Sequence, residues 1–150
     1  MKMNVRGNDN FRTPPALFNQ LNEIFNFTLD AACTSKDCLC PRGFHFDRGV
    51  DALSCSWEKH RVFCNPPFSK KAKFIEKAYN EVINGDCPIV VMILPSNCQD
   101  SKAFQKYIKK NFFYETLQGR VSFIDPNTMQ PLKQNNSGTT IVYFKKDITR

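Results

Sequence analysis

One tetrapeptide concentrates the chemistry of this chain: Asn65-Pro66-Pro67-Phe68, directly after the β-rich run Arg61-Val62-Phe63-Cys64. The Asn65 side-chain oxygen and the Pro66 backbone carbonyl are two acceptors, and the adjacent prolines stiffen the backbone that relates them. Phe68 adds a ring on which a flat group can stack. Two acceptors and a stacking ring suit the task of holding a planar amine by both of its hydrogens so that its nitrogen can attack. Such an amine is a poor nucleophile because its lone pair is delocalised into the ring, so positioning must supply most of the acceleration. No thiol nucleophile is required, and Cys64 reads as a small apolar packing residue. The alternative for the tetrapeptide is a turn that ends a strand, since neither proline can donate to a sheet ladder.

A second concentration of reactive side chains is Cys33, Cys38, Cys40 and His45. Their spacing is C-x4-C-x-C-x4-H, without the C-x2-C knuckle that holds two thiolates at tetrahedral angles on one turn. The reading is therefore reduced thiols in loops or core and no metal. The full set of cysteines adds Cys55, Cys64, Cys87 and Cys98 to make seven. An odd count without an export signal argues against a disulfide framework. His45 and His60 read as isolated, structural or solvent-facing residues.

These groups need elements to position them. Thr13 is placed to cap a helix that Pro14 and Pro15 open, with Leu17, Leu21 and Ile24 on its inner face. Phe27-Thr28-Leu29 reads as a short strand ending at Asp30. Residues 31–60 are punctuated by Cys, Gly and Asp, with one brief strand near 44–46. Arg61-Val62-Phe63-Cys64 is a confident strand. From Ser69 a helix carries Ala72, Ile75, Tyr79 and Val82 at spacings of 3, 4 and 3, and Asn84-Gly85 ends it. Lys70, Lys71, Lys73 and Lys77 crowd its first half, against the preference of the helix dipole, which suggests a compensating anion. The apolar run 88–95 is a strand covered on both faces. A further helix over 101–110 turns Phe104, Tyr107 and Ile108 inward, and strands near 112–117 and 139–144 flank a loop. Alternation of this kind describes an α/β fold, a mostly parallel sheet covered by helices.

The chain has 150 residues, enough for one domain with a core that needs no cross-links. Its 21 Lys and Arg against 14 Asp and Glu leave a net charge of +7, which points to an anionic partner, nucleic acid first, or else to solubility alone. No apolar run is long enough for a membrane span, and the first residues lack a signal-peptide core, so a soluble, cytoplasmic protein is expected.

With the tetrapeptide in place, the sequence resembles the amino-methyltransferases that use S-adenosylmethionine, and specifically the small DNA N6-adenine methyltransferases of bacterial viruses. Phe11-Arg12-Thr13-Pro14 with Leu17-Phe18 looks like the family's opening segment, and Leu29-Asp30-Ala31-Ala32 like its cofactor-binding strand end. Asp51-Ala52-Leu53 with Trp57, then Ile93-Leu94-Pro95 and Gln118-Gly119-Arg120-Val121-Ser122-Phe123, follow in order. The resemblance implies direct methyl transfer to the exocyclic amine of a flipped adenine. Asn65, Pro66, Pro67 and Phe68 would be its catalytic residues, Phe68 stacking on the base. Asp30 would accept from the amino group of the cofactor's methionine moiety, or else caps the segment that follows. Ala31 and Ala32 would let the cofactor approach the backbone, and Thr13 and Pro14 would border the same pocket. Asp51 is a candidate for the cofactor's adenosine amine and Asp47 for its ribose; either is alternatively a turn residue. Lys70, Lys71 and Lys73 would line a phosphate track with Lys102, Lys106, Lys109 and Lys110, and Arg120 and Lys133 would also contact DNA. The loop 125–137, with Asn127, Gln130, Lys133, Gln134, Asn135 and Asn136, could read base edges, the alternatives being the N-terminal arm, residues 1–10, or a second subunit, in a protein that is a monomer or a homodimer.

Two departures from the wider methyltransferase pattern qualify the expectation. No glycine-rich turn follows Asp30, where Ala31-Ala32-Cys33-Thr34-Ser35 stands instead. Residues 31–60 are also too few for two further βα units, so an abridged Rossmann-like class I methyltransferase fold is expected. The alternatives are another planar amine (cytosine N4, an RNA adenine, a protein glutamine) and a catalytically silent nucleic-acid-binding module.

Overall fold

In the computed structural model, which describes residues 11–131 and 137–146, six strands form one sheet in the order β2-β1-β3-β4-β6-β5. In chain order these are β1 (Leu29–Cys33), β2 (Arg42–His45), β3 (Arg61–Cys64), β4 (Ile89–Pro95), β5 (Phe113–Thr116) and β6 (Thr139–Phe144). The sheet is mixed, not mostly parallel as expected. β2, β1, β3 and β4 pair in parallel, whereas β6 lies antiparallel to both β4 and β5. The reason is topological: after β5 the chain returns and inserts β6 between β4 and β5, so β6 must run the other way.

Two helices were expected where α1 (Pro15–Phe25) and α2 (Lys71–Tyr79) lie, and they cover opposite faces of the sheet. Phe18 and Leu21 of α1, with Phe27, pack on Phe63, Ile89, Val91, Ile93 and Ile141. On the other face Phe74, Ile75 and Ala78 of α2, with Trp57, Phe104 and Ile108, cover Leu29, Val62, Val90, Met92 and Val142. β4 is thus buried on both sides from Ile89 to Leu94, as its continuous apolar sequence requires. Ile24 departs from the expected inner face and is 73% exposed, because Phe18 and Leu21 fill the contact. α2 runs on through a π-helical turn, Asn80–Asn84, and a second such turn, Phe104–Ile108, stands where the last helix was expected.

Thr13 does not cap α1. Pro14 occupies that position without a side-chain bond, and the Thr13 hydroxyl is engaged elsewhere. The strand expected to end at Asp30 instead begins at Leu29 and continues to Cys33. Between β1 and β3 the chain forms β2 and two short 3-10 turns, Phe46–Arg48 and Ala52–Ser54, with no α-helix. Residues 34–41 alone join the parallel pair β1 and β2, fewer than the roughly dozen such a crossover usually takes. From β1 the chain moves outward to β2 and then crosses back to β3, so the β1/β3 boundary is the switch point where α/β sheets bind ligands.

Candidate active site

At that boundary Asp30 and Phe63 are register partners, and Asn65 follows two residues beyond Phe63. Side chains alternate along a strand, so Asp30 and Asn65 emerge on the same face of the sheet. Both line a cavity of about 540 Å³, together with Thr13, Ala32 and Pro67, all named from the sequence. A second recess of about 330 Å³ adjoins it, lined by Ala31, Asp51, Lys70 and Phe74. Ala32, Phe46 and Pro67 contribute to both. The two recesses are therefore neighbours over the carboxyl ends of β1, β2 and β3.

Asn65 is held by the segment that precedes α1. Its amide nitrogen donates to the Phe11 carbonyl at 3.0 Å and to Thr13 Oγ1 at 3.0 Å. A carbonyl can only accept, so the nitrogen must face Phe11 and the amide is oriented without ambiguity. With both N–H bonds engaged, what the side chain offers the cavity is its oxygen, an acceptor. Pro66 is buried and Pro67 borders both recesses. Phe68 is exposed, meets Phe11 edge-on with centroids 5.9 Å apart, and carries Lys71 Nζ 5.2 Å from its ring centre.

Asp30 is 2% exposed, and its two oxygens accept from the Ala32 and Leu39 amides at 3.1 and 3.3 Å. Burial pushes its carboxyl well above the ordinary range, the two amides only partly opposing it. A cation in the cavity would relieve that penalty. Asp51 and Asp47 are exposed and lowered instead, each chiefly by a serine hydroxyl. Asp51 accepts from Leu53 N and Ser54 Oγ, capping the 3-10 turn beside the smaller recess. Asp47 binds Ser35 through its amide and hydroxyl and lines neither recess, so it locks the turn after β1 to the turn after β2.

The cationic candidates are dispersed. Lys70 borders the smaller recess, Lys73 is exposed on α2, and Lys71 folds back to donate to the Phe68 carbonyl at 3.1 Å. Arg120 is exposed near Gly138, and Lys133, with Gln134, Asn135 and Asn136, lies outside the described residues. Cys64 is fully buried and its thiol is pushed up by burial, which suits packing and not nucleophilic attack.

Two features are not legible in the sequence, and a third, the cluster of Cys33, Cys38 and His45, is legible there only without its geometry. Arg12 Nε pairs with Asp37 Oδ2 at 2.8 Å, tying the arm before α1 to the β1–β2 connection, a contact that spacing alone does not signal. Phe46 walls both recesses because it directly follows β2. His45 is not isolated: it meets Cys33 and Cys38, with the three ligand atoms within 4.8 Å of one another. The spacing hid this because the residues come from β1, the connection and β2, not from one turn.

No curated protein matches the chain in a sequence search. The family model described as DNA N-6-adenine-methyltransferase (Dam) matches residues 1–149, nearly the full length. The chain belongs to the Dam family of DNA N-6-adenine methyltransferases.

Proposed function

We propose that this protein transfers a methyl group from S-adenosylmethionine to the N6 amine of an adenine extruded from DNA. The observation that carries the reading is the orientation of Asn65: its amide nitrogen is committed to Phe11 and Thr13, which leaves an oxygen to accept a hydrogen from the amine. The Pro66 carbonyl would accept the other hydrogen, held by the Pro-Pro backbone, and Phe68 would stack on the base. Held this way, the amine nitrogen is aimed and needs no covalent help from the protein.

The donor set fits the cofactor. Asp30 places a buried carboxyl with an unrelieved charge penalty on a cavity whose volume lies in the roughly 300–1,000 Å³ range of small-molecule sites. Asp30, Ala32 and Thr13 would hold the methionine end, and Ala31, Asp51 and Phe46 the adenosine end across the adjoining recess, whereas Pro14, named with them from the sequence, lines neither. When bound, S-adenosylmethionine supplies an electrophilic sulfonium methyl. The chain's own part is to bind, to orient and to exclude water. Asp47, joined to Ser35, is better read as a brace than as a ribose ligand. The sheet, with its switch point at β1/β3, is read as an abridged Rossmann-like methyltransferase sheet. Lys70, Lys73 and Arg120 would meet the phosphate backbone, acting with the net charge of +7.

The test is mass spectrometry of nucleosides from DNA incubated with the protein and S-adenosylmethionine. N6-methyldeoxyadenosine is expected. N4-methyldeoxycytidine alone, or label entering protein but never DNA, would overturn the reading.

A further inference from the structure

We propose that Cys33, Cys38 and His45 bind a zinc ion that clips β1 to β2. Cys33 is the last residue of β1, His45 the last of β2, and the two are register partners in the parallel pair. Cys38 comes from the connection between the strands. The ligand atoms of all three lie within 4.8 Å of one another. In a tetrahedral zinc site, bonds of about 2.3 Å to sulfur and about 2.0–2.1 Å to nitrogen set ligand separations near 3.5–3.8 Å. Closing from the observed limit takes at most about 1.3 Å, within the reach of side-chain rotation.

Gly43 is an independent sign that the space between these groups is reserved. A Cβ at Gly43 would lie 2.2 Å from Cys38 Sγ and 2.5 Å from Cys33 Sγ, so any side chain there would collide with both sulfurs. Glycine lets the β2 backbone pass directly beneath the two thiols.

The ligand chemistry selects the metal. Two thiolates and an imidazole suit zinc, whereas magnesium and calcium take oxygen. Each thiol gives up its proton to solvent on binding, and the imidazole binds neutral, so the site holds two thiolates against one divalent ion. Three protein ligands leave a fourth position for water. The clip also answers a deficit in the fold: residues 34–41 make a parallel crossover without a helix to pack it. That connection carries Leu39, whose amide binds Asp30, and Asp37, which pairs with Arg12. Holding Cys38 therefore holds one wall of the 540 Å³ cavity, which Cys33 also lines.

The experiment uses the full chain, reduced, dialysed against zinc and then against metal-free buffer, with bound metal measured by inductively coupled plasma mass spectrometry. One zinc per chain is expected for the wild type and for Cys55→Ser, whose thiol is outside the cluster. Cys38→Ser and His45→Asn should each bind zinc at least about tenfold more weakly. Cobalt in place of zinc should give thiolate charge-transfer bands and tetrahedral d–d bands. Should Cys38→Ser fail to fold by circular dichroism, His45→Asn and the cobalt spectrum of the wild type carry the test. Absence of zinc from the folded wild type, full zinc content in His45→Asn, or a Cys33–Cys38 disulfide in place of metal would each overturn the proposal. None of these readouts depends on methyl transfer.

Discussion

Asn65 and Thr13 are joined by a 3.0 Å hydrogen bond from the Asn65 amide to the Thr13 hydroxyl, so the residue proposed to aim the substrate amine is itself aimed by the arm before α1. Asn65→Ala is expected to abolish methyl transfer while leaving cofactor binding near the wild-type value, because in the proposed arrangement the side chain faces the acceptor amine and not the cofactor. Thr13→Val keeps the shape but removes one of the two bonds that fix the amide. Losing about 1 kcal/mol of orientation predicts a fall in kcat of several-fold to about tenfold. Single-turnover methylation, with cofactor binding measured by calorimetry on the same preparations, separates the two effects.

Asn65→Asp is a sharper probe of the same contact. A carboxylate offers only acceptors, so one of its oxygens would face the Phe11 carbonyl where the amide nitrogen now donates. The expected result is a loss of about 1–3 kcal/mol in stability together with reduced activity. Thermal unfolding at neutral pH checks the first part. An aspartate variant as stable as the wild type would mean that the Phe11–Thr13 arm does not fix this side chain.

Phe68 separates substrate binding from folding. The ring is 37% exposed and contacts only Phe11 and Lys71 among the aromatic and cationic pairs of the described residues. Phe68→Ala should leave Tm within a degree or two, a surface-like effect. Loss of stacking worth about 1–3 kcal/mol should weaken DNA use about 5- to 150-fold, read as kcat/KM. Phe68→Tyr should retain most of it.

How far the sequence reveals this arrangement depends on where each signal lies. Asn65-Pro66-Pro67-Phe68 is legible because neighbouring residues share one turn, and β4 because burial on both faces leaves an unbroken apolar run. The pairing of β6 with β4 is not legible, since strand order is set by long-range contacts that leave no local pattern. Thr13 misleads for a related reason. Its place before two prolines suits a helix cap, but Asn65, distant in sequence, outcompetes the local amides for its hydroxyl. Cys33, Cys38 and His45 stand near one another in sequence, but their spacing gives no sign of a shared site, because the parallel register of β1 and β2 is what brings them together.

Asp30 should decide cofactor affinity. Its carboxyl holds the Ala32 and Leu39 amides, and burial has stripped it of solvent that a cationic ligand could replace. Asp30→Asn keeps the volume but removes the charge and sets an amide N–H against one of those backbone donors. A charge-assisted bond is worth about 1.5–3 kcal/mol, so S-adenosylmethionine binding should weaken about 10- to 150-fold. Calorimetric titration measures this directly. Unchanged affinity would reassign Asp30 to a purely structural role in holding the β1–β2 connection.

Asp51 gives a prediction in which the sign of the pH effect discriminates. Its carboxylate accepts from Leu53 N at 3.0 Å and Ser54 Oγ at 2.9 Å, and these bonds hold it below the ordinary carboxylate range. The folded form therefore binds the proton less readily than the unfolded form. The stability Asp51 contributes is present above the unfolded pKa of about 3.9 and is lost as pH falls through the lowered folded value. The Tm gap between wild type and Asp51→Ala should be open at neutral pH and close below about pH 4. A contact with the adenosine end of the cofactor would add a second effect: Asp51→Ala would weaken S-adenosylmethionine binding at neutral pH even at temperatures where both proteins are fully folded. A Tm gap without any change in affinity would mark Asp51 as the cap of its turn and nothing more.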